Sequence, residues 1–115
     1  MNITKQTLIA LTALALAGCA SVAGLREGKP DITLTTTKTP SDYGQCVANG
    51  WGQFFGTTVN HSTTPDGGYT VSMPNAYTGN NGVVDVNPSG AVQVHYRMSG
   101  LGGYGKYTKV VNDCR

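Results

Sequence analysis

The chain has 115 residues, a length that accommodates one small domain. Its eight Lys and Arg residues outnumber six Asp and Glu by two, without any charged run, which argues against a nucleic-acid-binding protein and against a polybasic membrane-binding surface. Sixteen glycines and many Thr, Asn and Ser residues indicate a turn-rich domain with β-structure. A domain this small buries proportionately little surface, so we expect its stability to depend on a cross-link.

The N-terminus has the pattern of a secretory signal. Lys5 places a positive charge within the first six residues, and residues 7–17 (TLIALTALALA) are apolar apart from their threonines. A short basic start, an apolar stretch and then small residues are typical of a signal that is cleaved off. The apolar stretch is shorter than the roughly 20 residues that a transmembrane helix requires.

The apolar stretch ends in Leu16, Ala17, Gly18 and Cys19. This LAGC sequence resembles the lipobox of bacterial lipoproteins at every position. The resemblance implies that a diacylglycerol is transferred to the Cys19 thiol, that residues 1–18 are removed, and that the new amino terminus is acylated in turn, typically with palmitate. Two or more acyl chains hold a protein stably on a membrane, whereas a single chain binds only marginally.

The residue after the lipobox indicates in which membrane a lipoprotein is anchored. In lipoproteins of Gram-negative bacteria, an Asp directly after the lipidated Cys favours retention in the inner membrane. Here that position is Ala20, so the resemblance implies a lipid-anchored protein of the outer membrane, facing either the periplasm or the exterior. An ordinary secreted protein with a free Cys19 is the alternative.

In residues 19–30, apolar residues do not recur at a regular spacing, and large apolar side chains are few. We therefore predict that this segment forms a flexible tether that holds the domain at a distance from the bilayer. The folded domain is expected over residues 31–115. In residues 31–39, Ile32 and Leu34 alternate with threonines. This alternation is typical of an edge strand, although an extended tether remains the alternative.

The next segment has the signals of a helix start. Thr39 can act as N-cap, and Pro40 fits the first helical position. Five apolar side chains then fall on one helical stripe: Tyr43, Cys46, Val47, Trp51 and Phe54. This spacing predicts a helix over about residues 40–52.

Three strand-like segments follow the predicted helix. Residues 57–62 are the first, and residues 68–73 are the second. Residues 82–98 are expected to form a hairpin around the turn NPSG, because Pro88 in second position and Gly90 in fourth suit a type I turn followed by a left-handed glycine. The alternation predicts one apolar face, with Val84, Val86, Val92, Val94, Tyr96 and Met98. It predicts one water-exposed face, with Asp85, Gln93, His95 and Arg97.

Residues 99–107 (SGLGGYGKY) are glycine-rich and lead to the C-terminus. Tyr107, Val110, Val111 and Cys114 then follow at steps of three, four and seven from Tyr107, which predicts a short terminal helix. A last strand is the alternative, because Val and Tyr also favour sheets.

If Cys19 carries lipid, Cys46 and Cys114 are the two cysteines left to form a disulfide. The compartment outside the cytoplasm is oxidising, so we predict a disulfide between them. Closing a loop of nearly 70 residues stabilises a domain by roughly 4 kcal/mol on the chain-entropy model. A redox pair would usually show Cys-x-x-Cys spacing, which this sequence lacks.

Residues suited to catalysis are few. The two histidines, His61 and His95, are expected to be exposed, and without a third clustered ligand they make a poor zinc site. A Ser-His-Asp set can be composed from Ser62, His95 and Asp85, but no G-x-S-x-G or H-E-x-x-H motif supports one. We therefore expect no enzyme activity, no metal and no cofactor.

The sequence thus predicts a small α+β domain, with one N-terminal helix on a three- to four-stranded antiparallel sheet, a short C-terminal helix and one disulfide. The candidate binding surface comprises Tyr77, His95, Arg97 and Tyr104. The expected function is a non-enzymatic outer-membrane lipoprotein that binds an envelope protein or another envelope component such as peptidoglycan, and no nucleic acid. The alternative is a periplasmic inhibitor or immunity lipoprotein against a lysozyme-like or toxic enzyme.

Overall fold

A computed structural model of the protein describes residues 21–98 and 104–115. The predicted signal, the lipobox with Cys19, and residues 99–103 of the glycine-rich stretch lie outside the described residues. Within the described ranges the chain forms three helices and five strands.

The domain is α+β, with a five-stranded antiparallel sheet. Its elements are α1 (Val22–Glu27), β1 (Ile32–Thr35), α2 (Pro40–Gly52), β2 (Asn60–Thr63), β3 (Tyr69–Asn75), β4 (Gly79–Val86), β5 (Ala91–Tyr96) and α3 (Gly105–Asp113). The strand order is β1-β5-β4-β3-β2, so β2 to β5 form a meander and β1 pairs with β5. The prediction of three to four strands was therefore too low, because the short strands β1 and β2 both join the sheet, one at each edge.

Helix α2 starts and ends close to where its sequence signals predicted. Thr39 is the N-cap, and its hydroxyl oxygen accepts a 3.2 Å hydrogen bond from the backbone N–H of Asp42. Pro40 occupies the first turn, where a missing N–H costs nothing. The helix buries Tyr43, Val47 and Trp51 completely against the sheet and α3.

The β4–β5 hairpin closes through the predicted turn. The backbone N–H of Gly90 donates a 3.0 Å hydrogen bond to the carbonyl of Asn87, and Gly90 has a φ of 91°. A Cβ atom at Gly90 would lie 2.4 Å from the carbonyl oxygen of Thr36. Glycine is required here both by the left-handed backbone and by the close approach of the chain after β1.

The hydrophobic core lies between the inner face of the sheet and the helices α2 and α3. The strand residues of this core are Tyr69, Val71, Met73, Val84, Val86, Val92, Val94 and Tyr96. The C-terminal segment is the predicted helix and not the alternative strand, with Val111 fully buried. The disulfide Cys46–Cys114 is present and joins α2 to the residue after α3.

The outer face of the sheet was expected to be exposed to water, but α1 packs on part of it. Residues 22–27, predicted to lie in a flexible tether, form a helix whose Val22 and Leu25 are half-buried. His95 was predicted to be exposed but retains only 4% of its accessible surface. Its Nε2 donates a 3.0 Å hydrogen bond to the carbonyl of Gly28, directly after α1. The alternation of β5 correctly assigned His95 to the outer face, but it carried no information on what covers that face.

Candidate functional site

A groove of about 630 Å³ lies between the segment after α2, the β3–β4 hairpin and the start of α3. Its apolar lining consists of Phe55, Met73, Pro74, Met98, Tyr104 and Tyr107. Its polar lining includes Thr57, Thr58, Asn75 and Asn81. A concave apolar surface with a few polar groups is the usual form of a binding site.

Aromatic side chains build the helical wall of the groove. Tyr107 packs edge-on against Trp51 and Phe54, with ring centroids 5.9 and 5.1 Å apart. The indole N–H of Trp51 donates a 3.1 Å hydrogen bond to the Tyr107 carbonyl. The Tyr107 hydroxyl lies 2.8 Å from the hydroxyl of Thr57, and both residues line the groove. These contacts hold the wall rigid, because each ring is fixed by a second partner.

The end of the wall is a stacked pair of tyrosines. The rings of Tyr96 and Tyr104 lie 4.6 Å apart and nearly parallel, at 17°. The Tyr96 hydroxyl lies 3.0 Å from that of Thr108. Burial raises the pKa of Tyr96 to about 12, with a further increase from Asp31 and Tyr104 and an opposing effect of the Thr108 hydrogen bond. Tyr96 is therefore neutral at physiological pH and acts as an apolar platform for Tyr104.

Two methionines line the sheet side of the groove. Met73 is almost fully buried and Met98 is 39% exposed. Gly82 makes room for Met73, because a Cβ atom there would lie 2.7 Å from the Met73 methyl carbon. Methionine is flexible and polarisable, so this part of the groove can adapt to the shape of a bound side chain.

The β3–β4 hairpin forms one rim of the groove and presents Tyr77 at its tip. The side-chain oxygen of Asn75 accepts hydrogen bonds from the backbone N–H groups of Tyr77 and Thr78, at 2.8 and 3.3 Å. Gly79 completes the turn with a φ of 87°. The turn is thus held by its own side chain, while Tyr77 remains 92% exposed.

Phe55 lines the groove and is fully exposed. Phe54 continues the buried stripe of α2, and the next residue therefore points away from the core. Gly56 follows with a φ of 77°, and the backbone N–H of Thr57 donates a 3.1 Å hydrogen bond to the Phe54 carbonyl, closing the turn. Sequence reasoning missed Phe55, although the pair Phe54-Phe55 at the end of one helical stripe was the available signal.

Positive charges flank the groove. Lys106 places its ammonium 4.8 Å from the ring centroid of Phe54 and 5.3 Å from that of Tyr107. The Arg97 backbone and guanidinium both contact Asn81, at 2.9 and 3.4 Å. Among the described lining residues there is no carboxylate. The groove therefore combines apolar and polar lining residues and has a cationic margin.

Of the four predicted binding residues, one lines this groove, two are exposed on neighbouring segments, and one lies elsewhere. Tyr104 lines it, Tyr77 is exposed on the β3–β4 hairpin, and Arg97 is exposed beside Met98. His95 lies on the outer face of the sheet beneath α1, with its Nδ1 buried and without a hydrogen-bond partner among the described residues. His95 therefore belongs to the contact between α1 and the sheet.

The two histidines are not brought together, and Ser62, on the same strand as His61, is equally far from His95. His61 lies on β2, with its Nδ1 2.5 Å from the Tyr69 hydroxyl. Three strand spacings, roughly 14 Å, separate β2 from β5, which carries His95. The carboxylate of Asp85 is hydrogen-bonded by Arg26 and Thr70.

Within residues 21–98 and 104–115, no three His, Cys, Asp or Glu side chains cluster closely enough to hold a metal ion. The helices of these same ranges include none with the length and apolar character needed to cross a bilayer. No family model matches the chain, and comparison with curated proteins and with solved structures likewise finds no match.

Proposed function

We propose that the chain is a small lipoprotein of the outer membrane, anchored through a diacylglycerol on Cys19, whose non-enzymatic domain binds a protein of the cell envelope through the groove. The resemblance of residues 16–19 to a lipobox supports the anchor. The observation that carries the binding function is a groove lined by aromatic and methionine side chains, with Phe55 exposed in its lining and Tyr77 exposed on the β3–β4 hairpin that contributes Asn75 to it.

The exposed aromatic side chains of Phe55 and Tyr77 favour a protein partner. Single exposed apolar residues are ordinary on protein surfaces, but an apolar concavity flanked by aromatic rings is typical of an interaction site. Tyr and other aromatic anchors contribute a large share of the binding energy at such sites. Met73 and Met98 in the lining of the groove suit an apolar side chain of the partner.

The charges around the groove indicate the chemistry of the partner segment. Lys106 and Arg97 flank it, and its described lining has no carboxylate. We therefore expect the partner to insert an apolar side chain and to present acidic residues beside it, because complementary charge favours the correct partner and speeds association.

A non-enzymatic role is supported by the positions of the titratable groups. His61 bonds Tyr69 on one side of the sheet, and His95 is buried under α1 several strands away. A general base needs to lie within hydrogen-bonding reach of its substrate in a cleft. Neither histidine lines the groove.

An inhibitor or immunity lipoprotein is the second candidate, and the position of Tyr77 favours it. A hairpin tip that carries an exposed aromatic side chain is suited to entering the cleft of an enzyme. Under this candidate the partner is a lysozyme-like or toxic enzyme of the envelope, and binding abolishes its activity at a one-to-one ratio.

Site-specific photo-cross-linking in cells tests the binding function. A photoreactive phenylalanine analogue replaces Tyr77, and a matched control carries the same analogue at Gln45, an exposed position of α2. We expect one discrete protein adduct from position 77 and none from position 45. The additional substitution Phe55→Ser in the lining of the groove should abolish the adduct. The same adducts from both positions, or no adduct from position 77, would contradict the proposal.

The partner's identity separates the two candidates. If mass spectrometry of the adduct identifies an enzyme, that enzyme is titrated with the purified protein. Complete inhibition at equal molar amounts assigns the inhibitor function, and unchanged activity assigns the general binding function.

The anchor is tested by Cys19→Ser. We expect the variant to lose the lipid mass and to leave the membrane fraction, because no thiol remains to accept the diacylglycerol. Unchanged processing and membrane association would show that the anchor proposal is wrong.

A further inference from the structure

We propose that the outer face of the sheet, with α1 on it, lies against the phospholipid surface, so that the domain is held close to the bilayer and the groove opens away from it. This inference rests on the proposed lipid anchor at Cys19. It concerns the orientation of the domain, which the anchor by itself leaves open.

The length of chain between the anchor and the folded domain sets the distance. Ser21 is the N-cap of α1, and its hydroxyl oxygen accepts a 2.9 Å hydrogen bond from the N–H of Gly24. Only two residue steps separate Cys19 from Ser21, and they span at most about 7 Å. A fully extended segment over residues 19–30 would instead reach about 40 Å. The docking of α1 therefore decides whether the domain lies near the membrane or far from it.

Arg26 attaches α1 to the outer face of the sheet. Its Nε and a terminal nitrogen donate hydrogen bonds to the two carboxylate oxygens of Asp85, at 2.8 and 2.6 Å. The same guanidinium lies 3.3 Å from the Thr70 hydroxyl, which itself donates to Asp85 at 3.0 Å. Two parallel bonds from one guanidinium to one carboxylate restrict the angle of approach as well as the distance. The pair thus fixes the orientation of α1 on β4 and β3.

A second set of contacts holds the chain directly after α1. His95 donates to the carbonyl of Gly28 at 3.0 Å, and a carboxylate oxygen of Asp31 accepts a 2.6 Å hydrogen bond from the backbone N–H of Tyr96. The backbone N–H of Asp31 donates to the carbonyl of Val94 at 2.8 Å. The segment is therefore attached to the sheet both within α1 and directly after it, with Val22 and Leu25 half-buried.

The surface that this arrangement turns toward the lipid fits a headgroup layer. Ala23 and Gly24 are small and exposed, so the helix can approach the bilayer closely. Lys29 is exposed beside α1 and suits contact with lipid phosphate, while Glu27 is the one exposed acidic residue of the helix. The groove is lined by Met73 of the inner face of the sheet and by Tyr104 and Tyr107 at the start of α3, on the layer opposite α1. A lipid-facing α1 therefore leaves the groove free for a partner.

Fluorescence quenching in vesicles tests the orientation. The full-length lipidated protein is reconstituted in phosphatidylethanolamine–phosphatidylglycerol vesicles that contain a lipid with a nitroxide on its headgroup. A fluorophore is attached to the added thiol of Ala23→Cys on α1 or, as a matched control, of Asn49→Cys on α2, both exposed helical positions. We expect at least about three-fold stronger quenching at position 23. Equal quenching at the two positions, or stronger quenching at position 49, would overturn the inference.

Failure of the anchor gives a different result from failure of the orientation. Without a lipid on Cys19 the protein does not float with the vesicles, and neither position is quenched; this outcome contradicts the proposed function. A protein that floats with the vesicles but is quenched equally at both positions contradicts only the orientation.

A separate substitution tests whether the docking of α1 on the sheet holds the domain at the membrane. Arg26→Glu places a second carboxylate against Asp85 and should release α1 from the sheet. A fluorophore at Gln93→Cys, exposed on the outer face of β5, reports the distance of the sheet from the lipid. We expect its quenching to fall by about two-fold or more in the Arg26→Glu background, with vesicle binding unchanged. Unchanged quenching would show that α1 does not hold the domain at the membrane.

Discussion

A disulfide joins Cys46, within α2, to Cys114, directly after α3, with the two Cα atoms 5.8 Å apart. It connects residues 68 positions apart and therefore closes most of the domain into one loop. On the chain-entropy model, removing such a link lowers the free energy of unfolding by roughly 4 kcal/mol. We expect the double variant Cys46→Ala, Cys114→Ala to show this loss in urea unfolding followed by circular dichroism.

Reduction supplies the control for the disulfide prediction. The reduced wild-type protein should unfold at nearly the same urea concentration as the double variant, and a reductant should leave the double variant unchanged. Equal midpoints for the oxidised wild type and the double variant would contradict a stabilising role of the disulfide.

The hydroxyl of Tyr43 is expected to stabilise the end of α3. It donates a 2.8 Å hydrogen bond to the Val111 carbonyl, in the last turn of the helix, where carbonyls have no partner within the helix. Because this contact is buried, Tyr43→Phe should lower the free energy of unfolding by about 1–2 kcal/mol. Tyr77→Phe changes an exposed tyrosine and serves as the control, with an expected change below about 0.5 kcal/mol. Equal effects of the two substitutions would argue against the buried hydrogen bond.

Two glycines of α2 should respond oppositely to alanine. At Gly44, a Cβ atom would lie 2.0 Å from a ring carbon of Tyr69, so Gly44→Ala should destabilise by about 1–3 kcal/mol through overpacking. At Gly52 a Cβ atom meets nothing within 4 Å, so Gly52→Ala should be neutral or stabilising by a few tenths of a kcal/mol. Thermal unfolding of both variants measures the difference. A stable Gly44→Ala protein would disprove the close packing of α2 on β3.

The buried tyrosines predict a loss of stability at alkaline pH. Burial raises the pKa of Tyr96 from 10.0 to about 12, and burial likewise raises the pKa of Tyr43. At a pH between the unfolded and the folded pKa of such a tyrosine, its hydroxyl is deprotonated in the unfolded chain and still protonated in the folded protein. The stabilisation is therefore complete below pH 10 and declines as the pH rises, by about 1.4 kcal/mol per pH unit for each tyrosine.

Urea midpoints at about pH 8 and about pH 11 test this decline. Tyr96→Phe should reduce the difference between the two midpoints, and Tyr77→Phe, at an exposed position, should leave it as in the wild type. A midpoint that does not change between the two pH values would contradict the prediction.

Local signals in the sequence were sufficient for the regular elements that they mark. Thr39 and Pro40 predicted the start of α2, because the cap hydrogen bond and the proline both involve residues adjacent in the chain. Pro88 and Gly90 predicted the β4–β5 turn for the same reason. Tyr77 and Tyr104 were chosen as binding residues from their segments; Tyr104 lines the groove and Tyr77 is exposed on the neighbouring hairpin, and their role in binding stays a prediction.

The sequence by itself determined the α+β class, the helix over residues 40–52, the hairpin and the pairing of Cys46 with Cys114, because each follows from neighbouring residues or from the small number of cysteines. Only the tertiary structure decided that α1 packs on the outer face, that His95 is buried there, and that Phe55 lines a groove with Met73 and Tyr104. These features depend on contacts between residues far apart in the chain, such as Arg26 and Asp85, 59 positions apart. A periodic pattern assigns a side chain to a face of a strand or helix, but what packs on that face is set by the whole fold.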